Sequence, residues 1–376
     1  MKQLKKILLL LILILSFGIS SFASTPEIYS GAGIVIEEST GKIVYNKNAF
    51  EIMYPASTTK ILTAILTIEN CNLTDTATAS EYAINSIPSG YSTANIQIGE
   101  TLTIKDLLYA LMLKSANEAA TILAEHVGGS EANFANMMNE KAKELGCKNT
   151  HFVNANGIHN ENHISTAYDL ALIAKYAMQN STFKQIVSTT TYTLPATNKY
   201  ELEDRTLTNT NALIINDENS QHNYYYPYAT GIKTGFTSYA KNCLVSSSSK
   251  DGVNLICVIL YADFTEDGIS ERYLDTTNLF NYIYDNYTFS EVLSKYSVVD
   301  TIHIGEKQEE LNLLLENNII AFVNPQDSEL VENKQIMLTK DLSEPIHAGE
   351  IIGSVTYTID GIDYTENIIS DKDIRY

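Results

Sequence analysis

A serine and a lysine three residues apart stand directly before a strongly apolar run. The stretch reads Pro55-Ala-Ser-Thr-Thr-Lys60, followed by Ile61, Leu62, Ala64, Ile65, Leu66 and Ile68. A segment apolar nearly all round reads as a buried helix rather than a surface one. The chain must therefore build a core around residues 61–68, with Ser57 and Lys60 at the mouth of that helix. Positions i and i+3 share a helix face, so the two side chains can meet. A serine hydroxyl is a poor nucleophile without a nearby base. Lysine serves as that base only when burial or neighbouring positive charge lowers its pKa. The helix N-terminus adds free N–H groups that favour a developing oxyanion.

Spacing alone is weak evidence. Ser-x-x-Lys recurs elsewhere in the chain, for example at Ser181-Thr-Phe-Lys184 and Ser247-Ser-Ser-Lys250. The first lies in a helix-to-loop stretch and the second runs into a turn at Asp251-Gly252. Neither opens an apolar helix, and both read as solvated surface.

Compartment follows from the N-terminus. Residues 1–23 carry Lys2, Lys5 and Lys6, then an apolar run over 7–17, then small residues ending at Ala23. This is the pattern of a secretory signal cleaved after Ala23. The apolar run is shorter than the roughly 20 residues that span a bilayer. An uncleaved anchor is the alternative. Export to the outer, cell-wall side of the cytoplasmic membrane is expected, as a secreted or peripheral protein. The formal charge of −20 argues against nucleic acid and anionic lipid surfaces as partners. Cys71, Cys147, Cys243 and Cys257 form no Cys-x-x-Cys, so neither a zinc site nor a redox pair is expected. Cys243 and Cys257 can face each other across a hairpin, but free buried cysteines are expected for all four.

Residues 33–45 read as a hairpin around a Ser-Thr-Gly turn. Helices follow over 107–113 (entered through Thr103-Ile-Lys-Asp106), 118–127, 130–146 and 167–178. Residues 188–228 resist assignment. Strand-like runs occupy 229–233, 242–246 and 254–261, and a helix covers 270–287 with Leu274, Thr277, Phe280 and Ile283 on one side. Beyond it, 298–304, 319–323, 335–338 and 352–359 are strand-like, and Asp360-Gly361 turns a hairpin. The expected fold is mixed α/β (α+β). One antiparallel sheet is completed by the N-terminal hairpin and the late strands and flanked by a helical lobe, and a small all-β domain follows. The expected divisions are 1–23 (signal), 24–290 (catalytic) and 297–376 (all-β). A cleft between sheet and helices would hold Ser57.

Two motifs join Ser57 at long range. Ser115-Ala-Asn117 falls at a break between helices. Lys233-Thr-Gly235 lies on a strand, where the glycine allows close backbone approach. Ser-x-x-Lys, Ser-x-Asn and Lys-Thr-Gly in this order are the set found in penicillin-binding proteins and β-lactamases. The chain thus resembles the serine D-alanyl-D-alanine carboxypeptidases, the low-molecular-weight penicillin-binding proteins. The segment from Gly157 through His163 to Asp169 is similar to a family block, and Pro345 to Gly353 is similar to the family's C-terminal β-domain. The resemblance covers about 27–370. Family members often end in an amphipathic anchor helix, whereas this chain stops at Asp371-Lys-Asp-Ile-Arg-Tyr376, so membrane association stays open.

The resemblance implies a DD-peptidase/β-lactamase-like fold and removal of the terminal D-Ala from peptidoglycan stems ending in D-Ala–D-Ala. β-Lactams would be acylating inhibitors, and no cofactor or metal is implied. It assigns Ser57 as nucleophile, Lys60 as its base and Ser115 as relay to the leaving amine. Asn117 would hold the substrate amide, Lys233 would supply positive potential, and Thr234 would bind the terminal carboxylate. Gly235 gives close approach, and the N–H groups of Ser57 and Phe236 would form the oxyanion hole. Arg272 matches by position an arginine that also meets the carboxylate. A serine β-lactamase is an alternative, although no glutamate between Asn117 and Lys233 has asparagine four residues on. A non-catalytic penicillin- or muropeptide-binding wall protein is another. His159 and His163 lie in a loop-like stretch and do not make a His-Glu-x-x-His zinc helix. His163 is expected to be structural.

Overall fold

The computed structural model describes residues 25–201, 205–305, 308–327 and 330–375. The expected signal segment lies outside them. Five strands make the first sheet: β1 (Ala32–Glu37), β2 (Ile43–Lys47), β3 (Ala229–Thr237), β4 (Lys241–Lys250) and β5 (Val253–Ala262). Their spatial order is β2-β1-β5-β4-β3, every pair antiparallel. The N-terminal hairpin thus joins the late strands in one sheet, as the pattern predicts.

Both faces of this sheet are covered, and the strand sequences record it. Strand β5 is apolar without interruption from Leu255 to Leu260, the signature of a strand buried on two sides. Ile256, Val258 and Leu260 point to one cluster, Leu255, Cys257 and Ile259 to the other. Successive side chains alternate faces, so one run serves two cores. The first core is shared with α1 (Lys60–Asn70), α2 (Ile104–Leu113), α3 (Asn117–Gly128), α4 (Glu131–Glu144), α5 (Ala167–Ala177) and α6 (Ser181–Ser188). The second lies under α7 (Glu271–Asn286).

Helix α1 is the centre of the first core. Its residues 60–67 are buried without exception, and the polar ones, Lys60, Thr63 and Thr67, all find hydrogen-bond partners. Each fully buried Leu or Ile contributes about 1.5–3 kcal/mol relative to exposure. The caps agree with the sequence signals. The Thr103 hydroxyl accepts from the Asp106 N–H (3.1 Å), and Gly129 ends α3 at φ +72.

The second sheet has its own core. Strands β6 (Thr288–Leu293) and β9 (Ile319–Val323) pair with each other. Strands β7 (Val298–Ile304), β8 (Glu309–Leu315), β10 (Val331–Leu338), β11 (Ile351–Ile359) and β12 (Ile362–Ser370) form a sheet in the order β7-β8-β12-β11-β10. Asp360 and Gly361 both adopt positive φ in the β11–β12 turn, as a tight hairpin requires. Lys42, beside the β1–β2 turn, is buried and reaches this region, donating to the Phe322 carbonyl (2.6 Å) and pairing with Asp360.

Four expectations change. Residues 181–188 form a helix with Phe183, Ile186 and Val187 buried and Asn180 as cap, because the apolar residues recur at helical spacing. Ser181 and Lys184 themselves stay exposed. Ser247 is not solvated but buried on β4, hydrogen-bonded to Thr230 (2.7 Å). The buried stripe of α7 runs through Tyr273, Thr276, Phe280 and Ile283, leaving Leu274 and Thr277 half-buried. All four cysteines are free; Cys71 and Cys147 are only half-buried, and Cys243 opposes Gly235 rather than Cys257.

Candidate active site

Ser57 sits in a 3₁₀ turn, Ala56–Thr59, that feeds directly into α1. Thr58 pins this turn by donating both its N–H (3.2 Å) and its hydroxyl (2.7 Å) to the Pro55 carbonyl. Two glycines let other backbones close on it. A Cβ on Gly157 would fall 2.0 Å from the Ala56 carbonyl oxygen, and one on Gly235 would fall 3.1 Å from the Ser57 nitrogen. His163 adds a strut. Its Nδ1 accepts from the Val153 N–H (3.1 Å), so Nε2 carries the proton and donates to the Thr59 hydroxyl (2.8 Å). Burial, helped by His151, Lys60 and His159, pushes its pKa down to about 3. A neutral, doubly bonded histidine is structural, as the loop context suggests.

Lys60 is fully buried, and its ammonium donates three hydrogen bonds. The acceptors are Ser57 Oγ (3.0 Å), Asn117 Oδ1 (2.9 Å) and the Asn156 carbonyl (2.5 Å). Burial holds its pKa well below that of an ordinary lysine, the nearby Lys233 charge lowers it further, and Glu118 opposes both. A lysine so placed can shed its proton and accept the one on Ser57.

Ser115 lies between α2 and α3 at φ +60, a conformation uncommon outside glycine, and is buried against the same cleft. Asn117 opens α3. Its Oδ1 faces Lys60, while its N–H (3.0 Å) and Nδ2 (2.9 Å) donate to the Ser92 carbonyl. The neighbouring Glu118 is buried and takes the Ala94 (2.7 Å) and Ile96 (3.4 Å) N–H groups on one oxygen. Asn117 and Glu118 together hold the 92–96 segment over the start of α3.

The cleft has a volume of about 500 Å³ and opens between β3 and the helical lobe. Ser57, Ser115, Asn117, Thr234, Gly235, Phe236 and Arg272 all line it. Lys233 lies beneath, buried on the edge strand, its ammonium donating to the Thr234 carbonyl (2.9 Å). Burial, then Arg272, lowers its pKa to about 7. Arg272 leans from the first turn of α7 toward the Gly235 carbonyl (3.4 Å). The three motifs and Arg272 therefore converge on one cleft.

Several lining groups have no motif to mark them. Thr210, from the stretch that resisted assignment, exchanges a hydrogen bond with the Thr234 hydroxyl (2.6 Å). Ser92 and the turn at Ser89-Gly-Tyr form one wall, and Asn156 supplies only its carbonyl to Lys60. The Pro88-Ser-Gly turn chemistry is legible in sequence, but nothing in it states what the turn covers. Among the described residues no group of three or more His, Cys, Asp or Glu is placed to hold a metal ion, and no helix is long and apolar enough to cross a membrane.

Comparison with known families decides the lineage. Residues 20–264 match the family model described as D-alanyl-D-alanine carboxypeptidase, and 287–376 match the C-terminal domain of penicillin-binding protein 5. The chain belongs to the D-alanyl-D-alanine carboxypeptidase family. This carboxypeptidase homologue is 31% identical to the D-alanyl-D-alanine carboxypeptidase DacF of Bacillus subtilis, over 99% of this chain and 94% of that protein. It is 33% identical to the solved DD-transpeptidase of Streptomyces K15, with a TM-score of 0.61, over 69% of this chain and 98% of that one. Penicillin-binding protein 5 of Haemophilus influenzae shares the fold at a TM-score of 0.68 and 24% identity, over 94% of this chain and 100% of that one. The family and its serine-hydrolase chemistry are those that the three motifs imply, and the C-terminal β-domain is the one that the late strand-like runs and the segment from Pro345 to Gly353 imply.

Proposed function

We propose that the protein is a D-alanyl-D-alanine carboxypeptidase that trims peptidoglycan stem peptides through an acyl-enzyme on Ser57. The observation that carries this is the buried Lys60 ammonium 3.0 Å from Ser57 Oγ, beneath a cleft lined by Ser57 and Arg272 with Lys233 buried behind its wall. Ser57 Oγ attacks the carbonyl carbon of the penultimate D-Ala while its proton passes to Lys60. The N–H groups of Ser57 and Phe236 receive the oxyanion. Collapse breaks the C–N bond, and Ser115 relays a proton to the departing D-Ala nitrogen. Water then releases the shortened stem. The Thr234 hydroxyl, Lys233 and Arg272 hold the D-Ala carboxylate, and Asn117 fixes the 92–96 wall and the amide of the stem. β-Lactams acylate the same serine, but their leaving nitrogen stays tethered. The basic, apolar, small-residue N-terminus supports action on the outer side of the cytoplasmic membrane.

Intact mass after incubation with penicillin tests the reading, together with D-Ala release from a peptide ending in D-Ala–D-Ala. One penicilloyl adduct that Ser57→Ala abolishes, with D-Ala release by the wild type, is the expected result. A folded sample that gives neither adduct nor D-Ala refutes it, and rapid penicillin turnover without peptide cleavage marks a β-lactamase.

The two lysines also predict a pH profile. Lys60 must be neutral to accept a proton, and its pKa is lowered, so kcat/KM rises as it deprotonates. Lys233 must be charged to attract a carboxylate, and it loses its proton through about 7 in the free protein. Alkaline loss should therefore appear mainly in KM. Lys233→Arg keeps its charge at all accessible pH and should move that limb upward. An alkaline limb unmoved by Lys233→Arg removes Lys233 from this role.

A further inference from the structure

The β3–β4 turn carries a feature that hydrolysis does not use. Tyr239 stands 60% exposed at this turn, beside Ser238 of the cleft wall. Its ring stacks on His159 with centroids 3.8 Å apart and planes within 8°. His159 in turn meets Tyr54 edge-on at 4.7 Å. The turn beneath is fixed, because the Ala240 N–H donates to the Thr237 hydroxyl (2.9 Å) and both residues are buried. Tyr54 and His159 flank, in sequence, the Pro55–Ser57 stretch and the Gly157 that packs on it. The stack is thus tied to the nucleophile's own turn. Phe236, 62% exposed and lining the cleft, lies between Ser57 and this turn along β3.

We propose that Tyr239, backed by His159, is a platform for a pyranose ring of the glycan strand to which the stem peptide is attached. The inference rests on the carboxypeptidase reading above, which sets the direction of the substrate. Its terminal carboxylate lies toward Thr234 and its scissile carbonyl toward the Phe236 N–H. The preceding stem residues then run along the open edge of β3 toward Thr237 and Ser238. Four extended stem residues separate the scissile carbonyl from the sugar and span about 13 Å at ~3.3 Å per residue. Tyr239 lies three residues beyond Phe236, in the turn that closes β3, at most about 11 Å along an extended chain and so within that reach. A flat ring held parallel to a second ring has one face free, and that face carries negative π density. The axial C–H groups of a pyranose present a complementary, weakly positive and uncharged surface. A neutral sugar also meets no repulsion from a chain of net charge −20.

The test compares two substrates: a free pentapeptide ending in D-Ala–D-Ala, and the same pentapeptide on an N-acetylglucosaminyl-N-acetylmuramoyl disaccharide. Tyr239→Ala should lower kcat/KM for the disaccharide-peptide about three- to tenfold, the scale of one aromatic contact. Turnover of the free pentapeptide and acylation by penicillin should stay at wild-type rates, which also shows that the variant is folded. Tyr239→Trp should restore the preference. Equal loss on both substrates overturns the proposal and places the stem peptide on the ring instead. No loss on either overturns it as well. A wild type that releases no D-Ala from either substrate removes the carboxypeptidase reading, and the platform with it.

Discussion

Lys60→Arg and Lys60→Met are each expected to slow acylation of Ser57 by about 10²–10⁴-fold, the usual worth of a positioned general base. The two variants fail for different reasons. Arginine keeps the positive charge beside Ser57 but does not deprotonate in proteins. Methionine occupies a similar volume in a position that is fully buried, yet has no proton acceptor of useful basicity. It also leaves Asn117 Oδ1 and the Asn156 carbonyl without their donor. Stopped-flow acylation with a chromogenic β-lactam reads the rate, and thermal unfolding confirms that each variant is folded. Wild-type acylation in the folded Lys60→Met protein would mean that another group takes the Ser57 proton.

Gly157→Ala should cost a few kcal/mol of stability and most of the acylation rate together. Gly157 sits at φ +83, where a side chain is strained by about 1–3 kcal/mol. Its new Cβ would lie 2.0 Å from the Ala56 carbonyl oxygen and 3.0 Å from the Ser57 nitrogen. Backbone atoms do not swing aside as a side-chain tip does, so the Ala56–Thr59 turn must shift, at about 1–3 kcal/mol for overpacking. For a domain of this size each kcal/mol moves Tm by about 2–4 °C. Gly129→Ala is the matched control. It has a similar φ of +72 but open space around its Cβ, so it carries the strain without the collision. Equal Tm losses in the two variants would show that the close approach at Ala56 is unimportant.

The lysine and the glycine show how differently the two kinds of residue announce themselves. Ser57 and Lys60 were legible because their spacing and the apolar run after them are local facts. Helical periodicity alone brings the two side chains together. Ser115-Ala-Asn117 and Lys233-Thr-Gly235 were legible as a set, through resemblance, and the structure brings both to the cleft. Gly157 belonged to a recognisable block, but its contact with the Ala56 carbonyl depends on how two distant loops meet. Thr210, Ser92 and Glu118 had no such sign. A threonine in a polar stretch, a serine in a turn and a glutamate in a helix are ordinary surface residues until the chain folds. At Ser181-Thr-Phe-Lys184 the structure agrees with the surface reading and adds the helix that this reading missed. Its helix was present in the spacing of Phe183, Ile186 and Val187, while its Ser and Lys are exposed, as a solvated surface requires.

The sequence by itself determined most of the elements and the pairing of Ser57 with Lys60. Buried helix, two-sided strands, hairpin turns and the Ser–Lys pair all follow from periods of 3.6 and 2 and from residue type, which act over a few neighbours. Tertiary structure alone decided the electrostatics. Lys60 and Lys233 are 173 positions apart in the chain, and each is an ordinary cation in water. Only when the edge strand folds against the start of α1 are both ammonium groups removed from solvent, each near a second positive charge. Desolvation then lowers both pKa values, aided by Lys233 at Lys60 and by Arg272 at Lys233, and these effects depend on distance in space rather than separation in sequence.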